Sequence, residues 1–148
     1  MNRTNKKKIV AILNLVISIS LLTFITIITH TEFILPPFLA TAATKYPDPD
    51  WRMHRSMPIL ISYLISAVVA VLFVLFSLYG LIFAVLASFI SFIIEVAINI
   101  EHPPSILAAL LGVLEKVSPL YIIHPVLTGV LIEEGVNYLL TRYVEPKL

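Results

Sequence analysis

The chain has 148 residues, of which 59% are hydrophobic and 13% are charged, and its mean hydropathy is +0.98. This composition provides too few polar side chains to cover a soluble domain, so it predicts a protein that lies in the lipid bilayer. The net charge of +1 gives no reason to expect nucleic acid as a partner. The absence of cysteine excludes disulfides, thiol nucleophiles and cysteine-based metal sites.

Four apolar stretches meet or approach the roughly 20 residues that a helix needs to cross the hydrocarbon core. They cover residues 9–29, 59–78, 81–100 and 126–141. The sequence therefore predicts an all-α integral membrane protein with four transmembrane helices in a single domain over 1–148. A cleavable signal peptide is the alternative for the first stretch, but the stretch is long for one and no small-residue cleavage site follows it.

Two proline pairs divide the chain into halves of the same design. Pro36-Pro37 and Pro103-Pro104 are 67 positions apart, and so are Pro58 and Pro125, which open later apolar stretches. Several apolar residues keep this offset, which indicates a degenerate duplication with repeat 1 over about 9–79 and repeat 2 over about 80–146. Each half then contains two spanning helices separated by a proline pair and a short apolar segment.

The short segments after the proline pairs, residues 38–44 and 105–115, are at most about half as long as a membrane-crossing helix. Proline is favoured in the first turn of a helix, so each pair is expected to start a half-helix whose free N–H groups offer an anion site. If each half-helix re-enters and leaves on the same side, the two repeats are parallel. The alternative is that the prolines only shape loops that lie flat on the membrane surface.

Basic residues predict the orientation of the chain. Six of them lie near the termini: Arg3, Lys6, Lys7, Lys8, Arg142 and Lys147. The expected arrangement puts the other four on the opposite side: Lys45, Arg52, Arg55 and Lys116. Because cytoplasmic segments carry an excess of lysine and arginine, we expect a multi-pass protein of the cell membrane with both termini in the cytoplasm.

Polar side chains inside the predicted helices are candidates for a functional path. Glu95, Asn99 and His102 lie at i, i+4 and i+7, so a continuous helix would place them on one stripe. Glu133 is a further candidate in the last helix, whereas Ser66 belongs to a stripe of small residues that favours close helix packing. The sequence shows no metal-ligand spacing, no nucleophile with its base and no phosphate loop, so it predicts neither a metal nor an enzyme.

These motifs resemble the HPP family of small integral membrane proteins, which is named for the tripeptide present here as His102-Pro103-Pro104. Two further segments are similar to family motifs, namely Pro37-Phe38-Leu39-Ala40-Thr41-Ala42 and Pro125-Val126-Leu127-Thr128-Gly129 followed by Asn137-Tyr138-Leu139. The order and spacing agree from about residue 30 to the C-terminus. The chain departs from the family where glycine is usual, at Leu39 and after the second proline pair at Ile106-Leu107-Ala108.

The resemblance implies a permease for a small inorganic anion, because HPP members in chloroplasts and cyanobacteria are associated with nitrite transport. The expected substrate-binding residues lie at the two half-helix starts: His102, Pro103, Pro104, Ser105, Pro37, Phe38 and Thr41. Glu95, Asn99 and Glu133 would carry a coupled proton or line the path, and no cofactor is expected.

The identity of the anion and the class of function stay open. The missing glycines leave the identity of the anion undecided, because glycine lets a backbone approach a ligand closely. One alternative function is a proton or cation pathway lined by Glu95, Glu133 and Glu134, and another is an assembly subunit without transport. Four helices enclose little space, so a homo-oligomer is the expected state.

Overall fold

The computed structural model describes residues 2–45 and 53–148, and its regular secondary structure in these ranges is helical, which confirms the all-α prediction. The α-helices are α1 (Arg3–Thr29), α2 (Leu35–Ala43), α3 (Ser56–Leu75), α4 (Leu81–Ala97), α5 (Ile106–Leu114) and α6 (Thr128–Leu139). Single turns of helix precede α2 and α5, at Glu32–Ile34 and Pro103–Ser105. Further turns flank α6, at Pro119–Ile122, Ile123–Leu127, Leu140–Val144 and Glu145–Lys147.

Two of these helices are long and apolar enough to cross a membrane, namely α1 with 27 residues and α3 with 20. Only a narrow face of α1 is buried, and its residues recur at four-residue intervals from Val10 and Asn14 to Thr26. On the opposite face Phe24 and Ile28 are 66% and 61% exposed. Such a large exposed apolar surface is typical of a helix that contacts lipid.

The long helices α1 and α4 end in the same way. Each is followed by a residue in the left-handed conformation, His30 with φ 54° and Asn99 with φ 58°. At the end of α4 the Ile100 N–H then donates to the Glu95 carbonyl at 3.0 Å, which satisfies an acceptor of the last turn. Because α4 ends at Ala97, Asn99 is not on a helical stripe with Glu95, and the predicted three-residue stripe is wrong.

The first short helix, α2, runs antiparallel to α1 along much of its length. The chain turns back directly after Thr29, and the last residues of α2, Ala42 and Ala43, line one small cavity with Ala11 and Leu15 of α1. The helix therefore begins beside the C-terminal end of α1 and ends beside its N-terminal half.

Helix α6 is also antiparallel to α1, because His124 Nε2, in the turn before α6, lies 2.9 Å from Thr29 Oγ1 at the end of α1. Helix α3 begins beside the middle of α6, where Ser56 Oγ donates to Glu134 Oε2 at 2.5 Å. Further along α3, Ala70 lies next to Tyr121, which precedes α6. Helix α3 thus runs antiparallel to α6 and parallel to α1.

The second half of the chain repeats this order of helices in the opposite direction. Helix α4 returns antiparallel to α3, with Ser66 bonded to Glu95, and α5 turns back again until Lys116 lies over the ring of Tyr79, 4.8 Å from its centroid. Because α2 runs antiparallel to α1 and α3 runs parallel to it, Lys45 at the end of α2 and the start of α3 both lie towards the N-terminal end of α1.

The prediction of four spanning helices in two parallel repeats is not confirmed. Each short helix continues towards the far end of its neighbour rather than returning to where it began, so the two halves have inverted directions. The prolines also differ in position, because Pro36 and Pro37 lie in the first turn of α2 whereas Pro103 and Pro104 form the turn before α5. The spacing of 67 between proline pairs is not kept by the helices, which begin at Leu35 and Ile106.

Close packing of α2 on α6 depends on Gly129. Phe38 of α2 is fully buried and stacks on Tyr63 of α3, with ring centroids 5.1 Å apart. A Cβ atom at position 129 would lie 2.5 Å from Phe38 Cε2 and closer still to its Cζ. An added side chain would therefore require the Phe38 ring to shift, and its stack on Tyr63 limits that movement.

We predict that Gly129→Ala destabilises the protein by about 1–3 kcal/mol, because the added methyl group overpacks the contact with Phe38. Thermal unfolding of the purified protein in detergent would measure the change. Gly135→Ala is the matched control, since nothing lies within 4 Å of a Cβ there, and alanine is the better helix former by up to about 1 kcal/mol. Equal stability changes in the two variants would contradict the packing argument.

Candidate functional site

The turn between α4 and α5 is organised around the side chain of Glu95. Its Oε2 accepts the His102 backbone N–H at 3.1 Å, and its Oε1 accepts the hydroxyls of Ser105 at 2.7 Å and Ser66 at 3.2 Å. Glu95, Ser105 and Ser66 are fully buried, and no cation lies among the hydrogen-bond partners of Glu95 in the described residues. Hydrogen bonds, rather than an ion pair, thus stabilise this carboxylate.

The side chain of His102 joins this turn to the first half of the chain. Its Nε2 lies 2.7 Å from Thr41 Oγ1 of α2, and the same oxygen lies 2.7 Å from the Tyr63 hydroxyl of α3. His102 is 3% exposed, and Thr41 and Tyr63 are fully buried. The result is a continuous polar chain from Tyr63 through Thr41 to His102, whose backbone N–H is bonded to Glu95. We refer to these residues, with Ser66 and Ser105, as the His102 cluster.

His102 lies in the loop between α4 and α5, and its surroundings keep the imidazole neutral. Burial lowers the pKa of His102 to about 3, and the positive charges of Lys45 and Arg55 act in the same direction. A neutral imidazole can donate one hydrogen bond but supplies no positive charge to a ligand. The site therefore offers hydrogen-bond donors rather than net positive charge.

The structure brings together His102, Ser105, Thr41 and Glu95 from the predicted site. Phe38 adjoins them through its stack on Tyr63, and Pro37 is buried beside it in α2. Three other predicted residues lie elsewhere: Pro103 and Asn99 are exposed, and Pro104 is partly exposed. These three residues shape the turn and have no place in the polar network.

Sequence reasoning missed Tyr63 as a site residue and assigned Ser66 to helix packing alone. Neither residue carries a local signal, because their partners Thr41 and Glu95 are 22 and 29 positions away. Lys45 was expected outside the membrane and is instead fully buried, where its ammonium group forms an ion pair with Glu134. A lysine directly after an apolar half-helix, in a chain with intramembrane glutamates, is the signal that could have identified this pair.

Glu133, the remaining predicted polar residue, lies beside this ion pair but outside the His102 cluster. It is fully buried, and neither carboxylate oxygen has a hydrogen-bond partner among the described residues. It interacts electrostatically with Lys45 and Glu134, and Tyr63 also lies within its electrostatic reach. Glu133 thus faces the region between α2, α3 and α6.

A cavity of about 350 Å³ opens at the C-terminal end of α1. Polar and charged residues of its wall include His30, Glu115, Lys116 and His124. Tyr121, which also lines the cavity, donates a hydrogen bond to the Ala108 carbonyl in α5 at 2.7 Å. The cavity therefore extends to α5, and it opens at the end of the molecule opposite to Lys45.

Comparison with known proteins identifies the family. Residues 2–147 match the family described as HPP, transmembrane region, which confirms the resemblance carried by His102-Pro103-Pro104 and extends it over nearly the whole chain. No curated protein and no solved structure gives a match. Together with the apolar exposed helices, the family match shows that this chain is a membrane protein and belongs to the HPP family.

Proposed function

We propose that the protein is not an enzyme but transports a small inorganic anion, with nitrite as the first candidate, together with a proton. The observation that carries this proposal is the set of donors around Glu95: the His102 N–H and the hydroxyls of Ser105 and Ser66. They hold a planar group in which two oxygen atoms share one negative charge. Nitrite has the same arrangement of oxygen atoms, so the donors suit it chemically.

Glu95 and the substrate anion compete for these donors. While Glu95 is ionised, its carboxylate occupies the N–H and hydroxyl groups at the start of the second half-helix, where the helix dipole also favours an anion. Protonation turns the carboxyl group into a donor and weakens its hold on them. An anion can then take its place with no change in the total charge of the buried site, which couples one proton to each anion.

The His102 side chain can respond when an anion replaces the Glu95 carboxylate. Its neutral ring bonds only to Thr41 through Nε2 among the described residues, so a rotation of the ring can direct an N–H towards a bound anion. The same rotation would release Thr41, and with it the contact between the first half-helix and the second. Binding of an anion to the donors around Glu95 would in this way change the contacts of α2.

We further propose that both termini are cytoplasmic and that the two halves of the chain are inverted repeats around the His102 cluster. The basic residues that lie towards the N-terminal end of α1 then include Lys45 and Arg55, whereas Lys116 lies on the other side, which strengthens the expected charge asymmetry. Inverted repeats around a central site are a common basis of alternating access in transporters. The homo-oligomer expected from the sequence remains part of this proposal.

A second candidate function is a proton or cation pathway. The specific observation in its favour is Glu133, a fully buried carboxylate without a hydrogen-bond partner among the described residues. Ionisable residues at such depth often mark ion paths. This function requires flux of protons or cations when no substrate anion is present, whereas the anion transporter requires none.

The topology can be tested with single cysteines, because the chain has none of its own. We predict that a cysteine at Glu32, before α2, is labelled by an impermeant maleimide from outside the cell, and that one at Glu101, before α5, is labelled only after permeabilisation. Both native side chains are exposed. Parallel repeats require the same side for both positions, so external labelling of both would reject the inverted arrangement.

We predict that Glu95→Gln abolishes the pH dependence of nitrite uptake in proteoliposomes. If protonation of Glu95 limits anion entry, the wild-type rate should rise about tenfold per unit of acidification above the pKa of that group, whereas glutamine cannot titrate. Uptake is measured as a function of external pH, and permeation of nitrous acid is subtracted using protein-free liposomes.

Glu115→Gln is the matched control for this experiment, because Glu115 is an exposed glutamate outside the His102 cluster and should leave the pH profile unchanged. A Glu95→Gln protein that keeps the wild-type profile would contradict the exchange mechanism. Proton flux through the wild-type protein without any nitrite would favour the second candidate function.

A further inference from the structure

Three side chains on α1 and α6 that are fully removed from solvent have polar atoms without hydrogen-bond partners among the described residues. They are both carboxylate oxygens of Glu133, the amide oxygen and nitrogen of Asn14, and the hydroxyl of Ser18. All three residues are 0% exposed. In hydrocarbon surroundings each polar group of this kind costs several kcal/mol unless something binds it, and an isolated carboxylate costs more.

The contacts between α1, α2 and α6 indicate the relative depth of these residues. Asn14 and Ser18 are one turn apart on the buried face of α1. Helix α6 runs antiparallel to α1, and its Glu134 pairs with Lys45, which directly follows the end of α2 beside Ala11 and Leu15. Glu133 is the neighbour of Glu134, so its level on α6 corresponds to the stretch of α1 that carries Asn14 and Ser18.

The charges around Glu133 do not balance. Lys45 forms its ion pair with Glu134, whose other oxygen accepts the Ser56 hydroxyl. Glu133 interacts with both charges of that pair, which oppose each other, and its own negative charge has no counterion among the described residues. Lys45, Glu133 and Glu134 together carry one negative charge, which one monovalent cation neutralises.

We propose that Glu133, Asn14 and Ser18 form a binding site for a monovalent metal cation, with Na⁺ as the probe. The carboxylate, the amide oxygen and the hydroxyl are hard oxygen ligands of the kind that such cations prefer. A divalent ion would leave an excess positive charge in the bundle. A proton would neutralise Glu133 but would leave Asn14 and Ser18 without partners, which favours a metal cation that all three residues can coordinate.

This site is separate from the donors around Glu95 and stands whether or not the protein transports an anion. It has a structural link to them, because Lys45 interacts with Glu133 and ends the same short helix that carries Thr41, the partner of His102. A bound cation would therefore fix the relative position of α1, α2 and α6 close to the His102 cluster.

The test is thermal unfolding of the purified full-length protein in detergent at constant ionic strength. Choline chloride is replaced stepwise by NaCl, and in parallel by KCl. A cation that binds the folded state raises Tm in a saturable manner. We expect a rise of a few degrees with at least one of the two metal ions, and the absence of any rise with both would overturn the proposal.

Variants separate specific binding from a general salt effect. Glu133→Gln removes the charge and should abolish the Tm shift, Ser18→Ala should reduce the apparent affinity, and the exposed-site control Glu115→Gln should retain the wild-type shift. Ser18→Ala makes the smallest change and keeps the test decisive if Glu133→Gln does not fold. An equal cation shift in wild type, Glu133→Gln and Ser18→Ala would also overturn the proposal. So would a wild-type Tm that responds to pH but not to either cation, since that result assigns a proton to Glu133.

Discussion

A carboxylate removed from water needs hydrogen-bond donors, and the way Glu95 obtains them determines the centre of this protein. Its three donors come from the turn that connects α4 to α5 and from α3. To reach Glu95, the chain after Asn99 must reverse its direction and present the His102 N–H and the Ser105 hydroxyl to the same side chain. That reversal places the second short helix against α4 and turns the His102 ring towards the first half of the chain.

The two short helices, α2 and α5, are stabilised by tertiary contacts, because they are too short to be stable on their own. Nine residues form a helix of about 14 Å, which is too short to be stable alone or to cross the bilayer. Thr41 links α2 to His102, and the absence of a side chain at Gly129 and Gly112 allows Phe38 and Tyr121 to pack closely against α6 and α5. The short helices are therefore held by tertiary contacts with the helices on either side of them.

The sequence was sufficient to predict an all-helical membrane protein and its family, because apolar length and the His102-Pro103-Pro104 motif are local properties. It was not sufficient to predict helix direction. Lys45, directly after α2, pairs with Glu134, which is 89 positions away, so no local pattern in the sequence indicates where α2 ends. The prediction for Asn99 failed for a related reason. The apolar periodicity gives no clear end to the helix, and an asparagine that adopts the left-handed conformation is only a weak signal of a helix end in a sequence.

The two buried carboxylates differ in what surrounds them, and this difference assigns them opposite chemistry. Glu95 is surrounded by donors, which is the basis for proposing that a small anion can replace its carboxylate. Glu133 lies within electrostatic reach of the ion pair of Lys45 with Glu134, and no donor is bonded to it among the described residues. Thr41 of α2 bonds to His102, whose backbone N–H bonds to Glu95, and Lys45, directly after α2, interacts with Glu133, so this short helix adjoins the partners of both carboxylates. The proposed anion site and the proposed cation site are therefore connected through α2.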